Sequence, residues 1–197
     1  MQHRASLLGL ASVLLLLGAA APRASAEPAA SLRANLRQPY SSAEVGFGAA
    51  VAGKGGNLAV TFLGPVFTLQ GGHYRPIVAV VHAGLGAALD EAPDTGKTRT
   101  SEAFILGLGA RVRPLMFRNL TAGKVDLFMG PLAQVLGNHR MVTVSVGAEL
   151  GVALHFRRWR LSLQAHGGWC QVMTQEIDGR LQASFSAGGS LAFGRTF

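Results

Sequence analysis

Glu149, His155, Arg160 and His166 place a carboxylate, two imidazoles and a guanidinium close together in the chain, with Ser145 and Ser162 among them. A serine hydroxyl beside an imidazole and a carboxylate has the parts of nucleophilic catalysis. The same carboxylate facing an imidazole in a dry interior is an ion pair or a hydrogen-bonded plug. The direction of the side chains decides between the two, and that is set by the element carrying them. Other chemistry is thinner. His73, His82, His139, His155 and His166 show no close metal-ligand spacing. The G-x-G runs at Gly46–Gly48, Gly84–Gly86 and Gly107–Gly109 lie in strand-like sequence, whereas a phosphate-binding loop needs a strand followed by a helix. No cofactor and no metal are expected.

The element around Glu149 reads MVTVSVGAELGVALHF, Met141 to Phe156. Val142, Val144, Val146, Ala148, Leu150, Val152, Leu154 and Phe156 are apolar, while Thr143, Ser145, Gly147, Glu149, Gly151, Ala153 and His155 are polar or small. Period two marks a β-strand with one apolar and one polar face. If Arg157-Arg158 is a two-residue turn, Phe156 meets Trp159, Leu154 meets Leu161 and Val152 meets Leu163 on the apolar face. On the polar face His155 then opposes Arg160, and Glu149 opposes His166. Ser145 and Ser162 share that face.

The chain has 197 residues and a formal charge of +8. Arg4, the apolar stretch from Leu7 to Ala21 and Ala24-Ser25-Ala26 form a secretory signal with an A-x-A cleavage site, so residues 1–26 are expected to be removed. Loss of Arg4 and Arg23 lowers the charge to +6. In an exported chain that balance suits an anionic membrane surface, and nucleic acid is not expected as a partner. The single cysteine, Cys170, allows no intramolecular disulfide. Residues 27–43, rich in Ala, Pro and Ser, are expected to be a periplasmic linker. From 44 to 197 the sequence resolves into about eight alternating runs, at 44–52, 57–70, 74–89, 101–113, 124–137, 140–156, 159–173 and 180–197. Most exceed the 5–6 residues usual for strands in soluble proteins. They predict an all-β domain, a closed antiparallel up-and-down β-barrel. Pro65 and Pro131 interrupt two runs, and a bulge is expected at each.

The polar faces are Gly-, Ser- and Ala-rich, too small and bland for a soluble exterior but sized for a narrow lumen. In the last run Gln182, Ser184, Ser186, Gly188, Ser190, Ala192 and Gly194 would line the inside, with Leu181, Ala183, Phe185, Ala187, Leu191, Phe193 and Phe197 facing acyl chains. Charge gathers in links such as DEAPDTGKTR, Asp90 to Arg99. Aromatic residues fall near strand ends: Tyr74, Phe156 and Trp159 at the inner level, Phe104 and Trp169 at the outer.

A signal peptide, eight amphipathic runs and a terminal Phe197 together resemble the small eight-stranded outer-membrane barrels of Gram-negative bacteria, the OmpA/OmpX type. The resemblance implies a transmembrane barrel in the outer membrane, with membrane lipid and the barrel assembly machinery as partners and a monomeric state. It further implies that Leu191, Phe193 and Phe197 form a C-terminal assembly signal, in which Arg195 occupies a position normally apolar or aromatic. In the acyl-chain-cutting hydrolases of that membrane the site faces lipid, whereas Ser145 and Ser162 here face the lumen. The expected role is therefore structural, adhesive or interactive, around a narrow polar lumen that carries Glu149, His155, Arg160, Gln164 and His166 and does not suit a general porin. A soluble lipocalin-like barrel holding an apolar ligand is the first alternative, and it requires the two faces to be exchanged; a lipid-modifying enzyme of the outer membrane, a lipid-acting hydrolase, is the second, and the sequence offers no convincing site for it.

Overall fold

The structure, a computed structural model, describes residues 39–54, 57–74, 76–91, 98–120, 123–138, 141–174 and 182–197. The expected signal, the linker as far as residue 38 and Leu181 lie outside the described residues. Eight strands follow in order: β1 (Tyr40–Lys54), β2 (Asn57–Tyr74), β3 (Ile77–Glu91), β4 (Thr98–Leu120), β5 (Gly123–Asn138), β6 (Met141–Phe156), β7 (Trp159–Thr174) and β8 (Gln182–Thr196). Each pairs antiparallel with its sequence neighbour, and β1 also pairs with β8, closing the barrel. Closure leaves no edge strand with unpaired backbone groups.

The β2–β3, β4–β5 and β6–β7 links are each two residues long and lie at one end, with both chain ends of the barrel; we call it the turn end. The links at the opposite, loop end hold 2, 6, 2 and 7 residues. Arg157, at the first position of the β6–β7 turn, has a φ of 58°. Two-residue hairpins need a positive φ there to match the twist of the flanking strands. The β6–β7 register agrees with the sequence reading: Phe156 opposes Trp159, His155 opposes Arg160 and Glu149 opposes His166.

At the loop end β3 and β4 run on through Asp90-Glu91 and Thr98-Arg99, so the link read from Asp90 to Arg99 is only residues 92–97. At the turn end three boundaries differ from expectation. β1 starts at Tyr40, so residues 40–43, read as linker, belong to the barrel and pair with both β2 and β8 from Ser42 onward. The first inner turn falls at 75–76 rather than at 71–73, because a register shift between Gly71 and Tyr74 carries the hairpin further. The ten-residue link read at 114–123 is instead the end of the β4–β5 hairpin, accommodated by shifts at Val112/Leu115 and Phe117/Leu120.

The prolines do not need bulges. On β1, the pairing Phe47↔Pro65 keeps its register, as does Pro131↔Ala148 on β6. The carbonyl of Pro65 faces β3 and that of Pro131 faces β4, close to Gly84 and Gly109. A residue in a strand sends its N–H and C=O to the same side, so each missing donor faces the neighbour where the ladder rows are interrupted. One local bond is lost and the register survives.

Alternation runs along the wall wherever its side chains are described. Val45 and Phe47 on β1, Leu63, Phe67 and Leu69 on β2, Val146 and Leu150 on β6, and Phe185, Leu191 and Phe193 on β8 are exposed. Between them Ser42, Glu44, Thr68, Gln70, Ser145, Glu149, Ser186 and Ser190 are buried.

Candidate functional site: the buried polar network

The interior at the turn end is charged. Arg111 on β4 is fully buried at 0% exposure and reaches across the barrel to Glu149 on β6. Its Nε donates to Glu149 Oε1 at 2.6 Å and its Nη2 to Oε2 at 2.9 Å, a bidentate pair. Nη1 donates to Gln70 Oε1 at 3.3 Å and Nη2 also to Gln164 Oε1 at 2.5 Å. His82 joins from β3, with Nε2 3.3 Å from Arg111 Nη2 and Nδ1 2.9 Å from Thr68 Oγ1. Gln164 passes the network to Ser190 on β8 at 2.7 Å.

A second carboxylate, Glu44 on β1, accepts from Ser42, Gln70, Arg160 and Ser162. Gln70 thus joins the two carboxylate centres through its two ends. The third pair, Arg113 and Asp126, lies on adjacent strands, with His155 Nε2 3.5 Å from Asp126 Oδ2. Three guanidiniums and three carboxylates therefore offset one another inside the wall. Without such matching, each buried charge would cost several kcal/mol.

Aromatic rings fill the space between these groups. Phe128 lies under Arg111, 4.3 Å from its guanidinium carbon to the ring centroid, and 5.4 Å from that of Arg160. Tyr40 takes Arg113 at 4.1 Å and meets His155 edge-on at 6.4 Å. Cations over aromatic faces gain further when they are desolvated. Gly151 makes room for the first arrangement, since a Cβ there would collide with the Phe128 ring; at Gly188 a Cβ would lie 2.5 Å from His166 Nε2.

Toward the loop end the interior changes character. Ala50, Ala52, Phe62, Val66, Ala88, Ala103, Ile105, Leu136 and Cys170 form a buried apolar cluster. The interior is thus charged at the turn end, and beyond it this apolar cluster packs together with buried uncharged polar groups, Gln134, Asn138, Thr143, Ser145 and Ser186. Between the two halves lies a cavity of about 20 Å³, bordered by His82, Gln134, Gln164, His166 and Ser190. That is room for roughly one water.

The four residues singled out in the sequence all line this interior, but with partners that strand register alone does not supply. Glu149 pairs with Arg111, not with the opposing His166, whose Nε2 has no hydrogen-bond partner among the described residues. Arg160 pairs with Glu44, and His155 approaches Asp126. Ser145 donates to the Gln134 carbonyl and Ser162 to Glu44, so both hydroxyls are engaged. Sequence reasoning missed Glu44, His82, Arg111, Arg113 and Asp126 as members. The signal was their lumen-facing parity within the runs.

On the outer wall, Leu191, Phe193 and Phe197 are exposed, as are Tyr74, Phe156, Trp159 and Trp169, with Phe104 half-buried. Tyr74, Phe156 and Trp159 border the turn end, while Phe104 and Trp169 lie in the loop-end half.

No protein-family model and no curated protein matches the chain. Among solved structures it is similar to Ail, the attachment invasion locus protein of Yersinia pestis, determined in complex with the heparin analogue sucrose octasulfate; identity is 9%, the TM-score 0.49, and the match covers 81% of this chain and 99% of that one. It is also similar to Neisserial surface protein A, NspA, at 13% identity and a TM-score of 0.47, covering 81% of this chain and 97% of that one. Both are eight-stranded outer-membrane β-barrels, and at these identities the likeness is one of fold.

Proposed function

We propose that the chain is an integral protein of a Gram-negative outer membrane, with a structural or interaction role exercised through its outer wall and the links at its loop end. The observation that carries this reading is the inversion of the barrel. Trp169 is 78% exposed and Leu85 74%, whereas the Arg111 guanidinium is sealed inside. Such a wall is stable against acyl chains and unstable in water. The lipocalin-like alternative needs the apolar side chains inside and is disfavoured by the same observation. Strands of 15 to 23 residues are long enough to cross a bilayer, for which about 9–11 tilted residues suffice. Aromatic residues toward both ends fit the girdles found at membrane surfaces. The filled interior supports a closed wall more than a diffusion channel.

Leu191, Phe193 and Phe197 present an alternating apolar row at the end of β8, the form an assembly factor would read. In this reading the chain, freed of residues 1–26, fractionates with outer membranes, and deletion of Phe197 reduces its membrane level several-fold without lowering the stability of molecules that have folded. Fractionation of cells expressing both forms tests it. Recovery of the processed chain as a soluble periplasmic protein overturns the membrane reading, and an undiminished level of the deletion removes the assembly signal.

A further inference from the structure

One corner of the turn end carries a surplus of positive charge. The amide and hydroxyl of Thr196 both donate to the carbonyl of Arg158, at 2.8 and 3.2 Å, tying the β6–β7 turn to the end of β8. Across this junction Trp159 opposes Arg195, and its indole stacks on Phe193 with centroids 5.1 Å apart and planes 10° from parallel. Arg195 follows Leu191 and Phe193 on the outward face, with its guanidinium carbon 5.8 Å from the Phe197 ring centroid. Arg157 and Arg158 are exposed in the adjoining turn.

None of these three arginines has an ion-pair partner among the described residues. The carboxylates buried at this end, Glu44 and Asp126, are engaged by Arg160 and Arg113. Arg195 is also the residue that departs from an otherwise apolar terminal row. An outward arginine two positions beyond Phe193 stands where the apolar band gives way, placed to lay its stem along acyl chains and its head among lipid headgroups.

We propose that this corner binds the headgroup phosphate of an anionic glycerophospholipid in the leaflet at the turn end, an inference that rests on the membrane-spanning reading. Arg157, Arg158 and Arg195 supply the guanidinium donors, whose planar forks match phosphate oxygens. Trp159, Phe193 and Phe197 supply the apolar surface beside it. A zwitterionic lipid brings its own cation to the phosphate and leaves the surplus unmatched, so the site favours an anionic headgroup. Each basic side chain near an anionic membrane surface contributes about a fivefold preference.

The chain has two tryptophans, so either can be made the only reporter. Trp169→Phe leaves Trp159 beside the proposed site, and Trp159→Phe leaves Trp169 in the other half. The full chain is refolded in phosphatidylcholine vesicles containing a minor fraction of phosphatidylglycerol, with bromine on the acyl chains of one lipid or the other. Quenching of Trp159 is expected to report phosphatidylglycerol enriched about fivefold or more over its bulk share, with no enrichment at Trp169. The combined variant Arg157→Asn, Arg158→Gln and Arg195→Gln loses the enrichment, and Arg195→Lys in the native background keeps most of it. Should the combined variant not refold, Arg195→Gln alone must lower the enrichment. Equal access of both lipids to Trp159, persistence of the preference without the arginines, or the same preference at Trp169 overturns the site while leaving the membrane reading intact. A chain that does not insert into vesicles overturns both.

Discussion

Replacing Arg111 with methionine lowers the unfolding free energy of the vesicle-inserted barrel by about 3–5 kcal/mol, the cost of leaving a buried partner charge uncompensated. The reason lies in how many groups depend on it. Arg111 donates to Glu149, Gln70 and Gln164, and removing it leaves two amide oxygens without this donor and the buried Glu149 carboxylate facing only His82, whose Nε2 lies 3.4 Å from Oε2. The accompanying change Glu149→Leu in the Arg111→Met background removes the orphaned charge and recovers most of the loss, because apolar replacement of a whole buried pair is often neutral. Urea-dependent unfolding in vesicles, followed by tryptophan emission, measures both. A loss below 1 kcal/mol for the single variant, or no recovery in the double, would mean that the network is hydrated and that the interior is not sealed.

Leu150→Arg tests the other face. Leu150 is outward and close to the middle of β6, one residue from Glu149. An arginine there costs about 2–4 kcal/mol if it meets the bilayer midplane, and close to nothing if it meets water. The same urea titration in vesicles reads the difference. Near-zero cost would place β6 at a water interface and contradict the membrane reading.

How far these features were legible before the structure varies with their physical origin. The β6–β7 hairpin was legible in full, because a two-residue turn and an uninterrupted alternation fix every pairing from Phe156↔Trp159 outward. Period two also gave the correct parity of Glu149, His155, Arg160 and His166. Their partners were not legible. Arg111 meets Glu149 across β4 and β6, and Glu44 meets Arg160 across β1 and β7, pairs of strands that are not neighbours in the wall. Such contacts depend on strand tilt and on the level each residue reaches inside a closed barrel, quantities that a linear pattern does not carry. Arg111 and Arg113 had the right parity within the run 101–113, and His82 was the lone polar residue on an apolar run, so membership was readable even where pairing was not.

The errors at the ends of strands have a common cause. Gly72-His73 and the stretch from Pro114 to Asn119 carry turn-forming residues, yet register shifts absorb them and let the hairpins run on to two-residue links. Pro65 and Pro131 misled in the same direction. A proline was expected to force a bulge, but in an antiparallel ladder its missing donor faces a single neighbour, and the other ladder holds the register.

The measurement that bears most directly on the inverted barrel is labelling of single cysteines along β6, in a Cys170→Ala background, by a lipid-soluble maleimide after insertion into vesicles. Val144, Val146, Ala148 and Leu150 serve as outward sites, and Thr143, Ser145 and Ala153 as inward ones. The inward set avoids Gly147 and Gly151, where any side chain meets backbone or the Phe128 ring. Cysteines at 144, 146, 148 and 150 are expected to react and those at 143, 145 and 153 to stay protected. Reaction of the second set with protection of the first would reverse the faces and make β6 part of a soluble barrel.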